Sequence, residues 1–283
     1  KTNISGSGNT AVGRDALETA TGSCNTAVGY SALIANTTGS FNTAVGFQSV
    51  YYGVTSDYNT GIGFKSLFNV DGHSNTAIGA SAGYGILSGS KNTALGASAG
   101  QLLSKIGGDN NTFLGYRAGT AVNTAVNNVA VGTDAMQFAL TADNSTFVGC
   151  QAGKGITGTK LTGNNNVAIG KNAGLLLQGS AVENVLVGSF AGDAITTGSE
   201  NVLMGMGAGG GINTGTRNTC IGDDAGTLIT TATRSIAIGH AAMATTAVTG
   251  AANIAIGNVA GNAMLAGTQN VMIGESAGKR IST

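Results

Sequence analysis

The sequence Asn9-Thr10-Ala11-Val12-Gly13 returns throughout the chain and decides its fold. It next occurs at residues 25–29, and it is still present near the end at residues 270–274. Sixteen copies occur in all, and their closing glycines lie 16 to 21 residues apart, most often 17. A short period kept over a whole chain is typical of architectures in which each repeat stacks on the next. We therefore predict a single repeat domain over residues 1–283.

The composition argues against several functional classes. Only 9% of the residues are charged and the net charge is zero, so the chain lacks the basic stripe with which nucleic-acid-binding proteins release counterions. Hydrophobic residues make up 42% of the chain and recur in register, which argues against disorder. No run of 18 apolar residues occurs, so the sequence predicts no membrane span. The 48 glycines and the absence of proline suit tight turns and uninterrupted backbone hydrogen bonding.

Each repeat has the pattern of a short strand followed by a turn. Small and β-branched residues precede the closing glycine, and a helix is disfavoured because each glycine would cost it about 1 kcal/mol relative to alanine. The third residue after the glycine is alanine in fourteen copies and serine in two, Ser49 and Ser66. We predict an all-β parallel β-solenoid of about sixteen coils of about 17 residues, running from about residue 9 to 278. Two short strands and two turns would fill each coil, and stacked strands would lie about 4.8 Å apart.

Both faces of the predicted strand are apolar. Side chains alternate along a strand, so Thr10 and Val12 point one way while Asn9 and Ala11 point the other. The Val12 position is apolar in every copy, and we predict that this face lines the interior of the coil. The Ala11 position is also apolar or glycine in every copy, so this second face should be buried as well. We infer a second wall made by identical neighbouring chains, with a flattened single-chain roll as the alternative.

The first residue of the motif is asparagine in all but two copies, where Ser145 and Ser235 replace it. Stacked asparagines form ladders of amide hydrogen bonds between successive strands, so we interpret this column as structural rather than functional. Its members are Asn9, Asn25, Asn42, Asn59, Asn75, Asn92, Asn111, Asn128, Asn166, Asn184, Asn201, Asn218, Asn253 and Asn270.

The consensus N-T-A-V-G-x-x-A-L/G, often closed by Thr-Gly as at Thr21-Gly22, resembles the left-handed parallel β-roll repeats in the heads of trimeric autotransporter adhesins. It is also similar to repeats of bacteriophage tail fibres and related trimeric surface fibres. The resemblance covers residues 9–278 and implies a left-handed trimer of β-rolls with a role in surface attachment. The period here is longer than in adhesin heads, and the sequence shows no coiled-coil stalk, membrane-anchor barrel or C-terminal chaperone domain.

Residue types that carry catalysis or bind metals are sparse and scattered. The two histidines, His73 and His240, lie about ten coils apart and have no cysteine or carboxylate at ligand spacing. We interpret Asp223 and Asp224 as part of a solvated turn rather than a cation site. The three cysteines occupy different phases of the repeat and match neither a disulfide ladder nor a zinc site. We predict no enzyme activity, no cofactor and no metal.

Aromatic residues crowd the early coils. One interpretation is a bulkier core beneath these coils, which use leucine or valine where later coils use glycine. The other is an exposed patch that contacts glycans or another partner, with Tyr51, Tyr52 and Tyr58 pointing outward. The early aromatic residues are Tyr30, Phe41, Phe47, Tyr51, Tyr52, Tyr58, Phe64, Phe68 and Tyr84.

Together these features predict a non-catalytic, extracellular structural fibre or adhesin segment at a cell or virion surface. We expect a homotrimer that binds a host-surface or glycan receptor. One alternative is a self-assembling filament subunit, because the solenoid ends look uncapped and open strand edges invite pairing. Another is an ice-binding solenoid. We rank it lower because the Thr10 position becomes Val129 and Val167 in later coils, which suggests a buried face.

Overall fold

The computed structural model describes residues 5–101, 108–245, 248–262 and 267–278. Within these ranges every extended element is a three-residue strand and no helix is present, which confirms the predicted all-β parallel β-solenoid. The strands are β1 (Thr10–Val12), β2 (Thr26–Val28), β3 (Thr43–Val45), β4 (Thr60–Ile62), β5 (Thr76–Ile78), β6 (Thr93–Leu95), β7 (Thr112–Leu114), β8 (Val129–Val131), β9 (Thr146–Val148), β10 (Val167–Ile169), β11 (Val185–Val187), β12 (Val202–Met204), β13 (Thr219–Ile221), β14 (Ile236–Ile238), β15 (Ile254–Ile256) and β16 (Val271–Ile273).

The chain divides into two compact units, Lys1–Thr141 and Ala142–Thr283, which we call the first and the second unit. In the first unit, strands β1 to β8 pair in chain order, each parallel to the next. Strands β9 to β16 do the same in the second unit. Equivalent motif positions are always partners, as for Ala94 with Phe113 and Ala168 with Phe147. The stacking of like over like is therefore confirmed, including across the longer repeats.

In the part of the chain that the structure describes, each coil contains one strand, so the prediction of two strands per coil is wrong there. Turns make up most of the remainder, because three residues per coil adopt φ near +55° and the motif glycine adopts φ near +133°. In the third coil these are Phe41, Gln48 and Val50, together with Gly46. The turns still continue the stacking, since the N–H of Gln48 donates to Tyr30 O at 2.9 Å and that of Val50 to Ser66 O at 2.9 Å. Two isolated parallel bridges, Leu161 with Gly179 and Ile229 with Val248, are all that resembles a second sheet in the described residues.

The prediction of which strand face is internal is also wrong. The Ala11-type residues form the interior: Ala27 and Ala44 have no exposed surface. The Val12-type residues lie outside, where Ile62 is 37% and Ile78 39% exposed. Side chains alternate along a strand, so the middle residue of each three-residue strand lies on the enclosed side of the coil and the two flanking residues lie on the outer face. Because both kinds of position are apolar, hydropathy could not show which of them is enclosed.

Inside each coil, the middle residue of the strand, the conserved alanine or serine, and the residue after it share the available volume. Where that last residue is glycine, a larger neighbouring side chain fills the space that a side chain there would occupy. A Cβ on Gly153 would lie 2.1 Å from Cδ1 of Phe147, and one on Gly119 would lie 2.4 Å from Cδ1 of Phe113. Earlier coils place Leu33 or Leu67 at this position and use alanine or glycine in the strand instead. The change from leucine to glycine along the chain therefore compensates for side-chain volume within the core.

Candidate functional site

The broadest candidate surface is the outer face of the strands, which we define as the first and third residue of each strand. In the first unit the third residue is always aliphatic, whereas the first is threonine from β1 to β7. In the second unit both residues are aliphatic on every strand, apart from Thr146 and Thr219. No charged residue occurs at these positions in either unit. The two units thus present outer faces of different polarity.

The threonines of the first unit's outer face carry hydroxyls that form no hydrogen bond with any residue in the described part of the chain. Loop threonines behave differently, since Thr21 Oγ1 donates to Thr37 O at 2.9 Å and Thr37 Oγ1 donates to Val54 O at 3.0 Å. Across the residues that the structure describes, no such bond is formed by the outer column. These hydroxyls therefore face solvent or a ligand. The column comprises Thr10, Thr26, Thr43, Thr60, Thr76, Thr93 and Thr112.

The asparagine column lies inside the coil and forms a hydrogen-bonded ladder. Asn92 is typical: its backbone N and its Nδ2 both donate to Asn75 Oδ1, at 3.0 and 3.2 Å. Its Nδ2 also donates to Gly108 O at 2.7 Å. Where Ser145 replaces asparagine, its Oγ accepts from the N–H of Asn166 at 3.1 Å. Because the amide protons and the oxygen of Asn92 are used within the protein, this column has no capacity left for a ligand.

A second polar ladder, which the sequence analysis missed, runs two residues before the asparagine. At each step of this ladder, a side-chain atom accepts a hydrogen bond from the backbone N–H of the equivalent residue in the preceding coil. Ser40 N donates to Asp57 Oδ1 at 2.7 Å, Asp57 N to His73 Nδ1 at 3.0 Å, and His73 N to Ser90 Oγ at 3.0 Å. His73 thus takes part in the ladder through Nδ1, which gives it a structural role. The recurrence of Ser and Asp at this phase is the sequence signal that could have revealed the ladder.

The early aromatic residues form stacked rows on the surface of the first unit. Tyr30, Phe47 and Phe64 stack with ring centroids 5.2 and 5.4 Å apart. Tyr51, Phe68 and Tyr84 form a second row at 5.0 and 4.9 Å. Phe41 and Tyr58 form a third stack at 5.0 Å. Five of these stacked rings, including Phe47 and Phe64, are exposed by more than a third, and so is Tyr52, so the interpretation as a bulkier core is wrong for all six.

The three tyrosines proposed as a contact site do not form one cluster. Tyr51 and Tyr52 touch edge to face, with ring centroids 4.6 Å apart, whereas Tyr58 stacks in the separate row with Phe41. Tyr52 is 49% and Tyr58 59% exposed, while Tyr51 is half-buried. Stacking covers one face of the Tyr58 ring, where Phe41 lies against it. What Tyr52 and Tyr58 offer to a partner is exposed ring surface and one phenolic hydroxyl each.

Cations cover further ring surface in the same rows. The Arg14 guanidinium lies 5.6 Å from the ring centre of Tyr30, at one end of the first row. Lys65 Nζ lies 5.4 Å from the ring centre of Phe64 and 5.3 Å from that of Phe68, so it connects two rows. Cation–π contacts at exposed sites contribute about 0.5–1 kcal/mol each. The rows therefore stabilise the stacking of coils.

The residues considered for metal binding remain dispersed. His240 Nε2 lies 4.0 Å from Asp223 Oδ2, and His240 Nδ1 lies 3.2 Å from Asn258 Oδ1. Among the described residues, no group of three His, Cys, Asp or Glu side chains is placed to hold a metal ion. The same ranges contain no helix that is long and apolar enough to cross a membrane.

The cysteines differ sharply in environment, and this gives a direct prediction. Cys24 and Cys150 are exposed, whereas Cys220 is buried in the core, where burial raises the pKa of its thiol from 9.0 to about 12. We expect two thiols to react with iodoacetamide in the native protein at pH 8, and the third only after unfolding. Because the unfolded state ionises first, Cys220 should also lower stability as the pH rises from 9 towards 12. Rapid native labelling of Cys220, read by mass spectrometry, would contradict this placement.

Comparison with protein-family models found no match, and neither did comparison with curated proteins. The likeness to adhesin heads and tail fibres therefore depends on the repeat sequence alone.

Proposed function

We propose that this chain is a non-catalytic structural segment of an extracellular fibre or adhesin, built from three identical chains. The observation that carries the proposal is the unbroken aliphatic column on the outer face. In the first unit it reaches 43% exposure at Leu114, and in the second unit 40% at Ile169 and 42% at Met204. Eight stacked positions at about 4.8 Å spacing give a column about 34 Å long in each unit. A contiguous apolar surface of this kind marks an interaction site.

Identical chains suit this surface because it repeats the same residue type at every level. A copy turned about an axis parallel to the stack presents the same column at the same spacing, so cyclic symmetry matches every level at once. The sequence favoured neighbouring chains against the Ala11-type column. Because that column is buried within the coil, we propose the opposite, outer face of the strands as the surface where the chains meet.

Attachment is the second part of the proposal. The exposed rings and hydroxyls of Tyr52 and Tyr58, on the first unit, offer a contact surface for a glycan or host-surface receptor. Tyr51 is half-buried, whereas Tyr52 is 49% and Tyr58 59% exposed, so Tyr52 and Tyr58 are the better positions for testing attachment. The extracellular setting follows from the resemblance to surface fibres.

Measurement of the native mass tests the assembly. One chain has a mass of 27.6 kDa, and sedimentation equilibrium should return three times that value at micromolar concentration. A monomer at all concentrations would overturn the proposal. Electron microscopy of the same sample would separate discrete trimers from the alternative of filaments joined end to end.

Ice binding is a second candidate, and one observation favours it. The valines at this position in later coils suggested a buried face, but the threonine column lies on the outer face of the first unit. Its hydroxyls form no hydrogen bond within the described residues, and they alternate with aliphatic groups at a regular spacing. Such a face can order water into a repeating pattern, which recognition of an ice surface requires.

An ice-recrystallisation assay tests this candidate. If the face binds ice, the wild-type protein should keep crystals small at micromolar concentration, and Thr60→Lys with Thr76→Lys should abolish the effect. The substitutions place two large charges on adjacent levels of the outer face, where Thr60 and Thr76 are partners in the sheet. Growth of crystals at the rate seen in buffer alone would exclude ice binding.

A further inference from the structure

We infer that copies of this chain associate through the outer face of the second unit, on strands β9 to β16, while the outer face of the first unit stays hydrated. This rests on the proposed function, which requires association but does not say where along the chain it occurs. The partner of the second unit's outer face is the same face of another copy.

The two units provide a natural comparison of valine with threonine. These residues have nearly the same shape and differ in one methyl group against one hydroxyl. At the first residue of the strand, the first unit has threonine on seven successive strands, whereas the second unit has Val167, Val185 and Val202 on three successive strands. A hydroxyl buried without a hydrogen bond is strongly unfavourable. Valine is therefore suited to a face that loses its water, and threonine to one that keeps it.

The occupant follows from the chemistry of the second unit's outer face. That face offers no charge and, beyond Thr146 and Thr219, no side-chain hydrogen-bonding group. Its partner must be equally apolar and must repeat at the spacing of stacked strands. Among the described residues, the second unit's own outer face has both properties, whereas the equivalent face of the first unit carries threonine hydroxyls, so a second copy of this chain can supply the partner surface.

The charges at the borders of this face match a cyclic arrangement of parallel copies. The strands run across the face, so residues just before and just after a strand lie at opposite borders. Arg217 and Glu183 precede strands β13 and β11, whereas Asp223 and Lys171 follow strands β13 and β10. In a ring of parallel copies, the first border of one chain faces the second border of the next. Arg217 then meets Asp223 at the same level, and Glu183 meets Lys171 one level away.

The apolar strip with charged borders has the layout of a stable interface. Such interfaces have a dehydrated apolar centre and a polar rim that remains accessible to water. At the border of the second unit, Arg217 already holds Glu200 through two hydrogen bonds of 2.9 and 3.1 Å. At the equivalent positions the first unit carries the rings of Phe41 and Tyr58, and the charged residues there are Arg14 and Lys91, both basic. The first unit therefore has a more polar centre than the second and no pair of opposite charges at these border positions.

Matched substitutions test the inference. The first variant carries Val167→Thr, Val185→Thr and Val202→Thr in the second unit, and the control carries Val28→Thr, Val45→Thr and Val131→Thr in the first. Both add three hydroxyls to an outer face without changing side-chain shape. Sedimentation should show the dissociation constant raised at least 100-fold by the first variant and less than 5-fold by the control. Equal weakening by both, or weakening by the control alone, would overturn the inference and leave the proposed assembly intact.

Hydroxyl-radical footprinting of the wild type gives a second readout that needs no variant to fold. Met204 and Ile169 in the second unit are 42% and 40% exposed in the single chain, and Leu114 and Ile62 in the first unit are 43% and 37% exposed. We expect labelling of Met204 and Ile169 to fall at least 5-fold at concentrations where the protein associates, while Leu114 and Ile62 keep theirs. Equal protection of the residues in the two units would contradict the inference. A wild type that never associates would overturn the proposed function itself.

Discussion

Replacing Gly46 by alanine is expected to lower the free energy of unfolding by more than about 4 kcal/mol, or to prevent folding. Two independent causes act at this position. Its φ of +133° belongs to a region that is essentially restricted to glycine, and holding alanine there costs about 1–3 kcal/mol. In addition, a Cβ there would lie 2.4 Å from the carbonyl oxygen of Gly63 in the next coil. That oxygen belongs to the backbone, so neither coil can move away without breaking the strand register.

Guanidinium unfolding, followed by circular dichroism, measures the effect. Gly158→Ala is the matched control, because a Cβ at Gly158 would meet no atom within 4 Å and its backbone needs no positive φ. We expect the control to change stability by less than about 0.5 kcal/mol. Comparable stability of the two variants would show that the glycine column does not set the distance between coils.

Replacing Asn75 by alanine is the second large effect. We expect the free energy of unfolding to fall by about 3–6 kcal/mol, because the substitution leaves buried polar groups without hydrogen bonds. Asn75 Oδ1 accepts from the backbone N and the Nδ2 of Asn92, at 3.0 and 3.2 Å. Its Nδ2 donates to Gly89 O at 2.8 Å and to Asn59 Oδ1 at 3.2 Å. Alanine removes these bonds and leaves the N–H of Asn92 and the carbonyl of Gly89 without these partners in a buried position.

Asn75→Ser is the matched comparison, because the chain itself uses serine in two copies of the ladder. Ser145 Oγ accepts from Asn166 N at 3.1 Å, and Ser235 Oγ accepts from Asn253 N at 3.4 Å. Serine should therefore restore the acceptor for Asn92 N and recover about half of the loss, as measured by the same denaturant titration. If alanine and serine were equally tolerated, the asparagine column would owe its recurrence to something other than these bonds.

Several features of the fold could be predicted because they depend only on the repeat. The motif at residues 9–13 fixes the position of every strand, and equal repeats stack like over like because each coil meets the same pattern above and below. The asparagine column was recognisable for the same reason. One asparagine amide can form a hydrogen bond with the next only if both occupy the same position in successive repeats.

Other features could not be predicted because hydropathy does not measure the space available. Val12-type and Ala11-type residues are both apolar, so periodicity alone could not tell which column fills the coil. The rows of aromatic rings presented the same problem, since Phe47 and Phe64 stabilise the surface by stacking on each other rather than by entering the core. The ladder through Asp57 and His73 was hidden because different residue types supply the same acceptor.

The sequence by itself determined that this chain is a parallel stack of coils, because one motif recurs at a nearly constant period. Only the tertiary structure decided that the middle residue of each strand, such as Ala44 or Phe113, faces the inside of the coil, whereas the first and third residues, such as Val45, face outward. The physical reason is that side chains alternate along a strand and the turns fold the coil toward one side of it, and hydropathy could not identify that side because both are apolar.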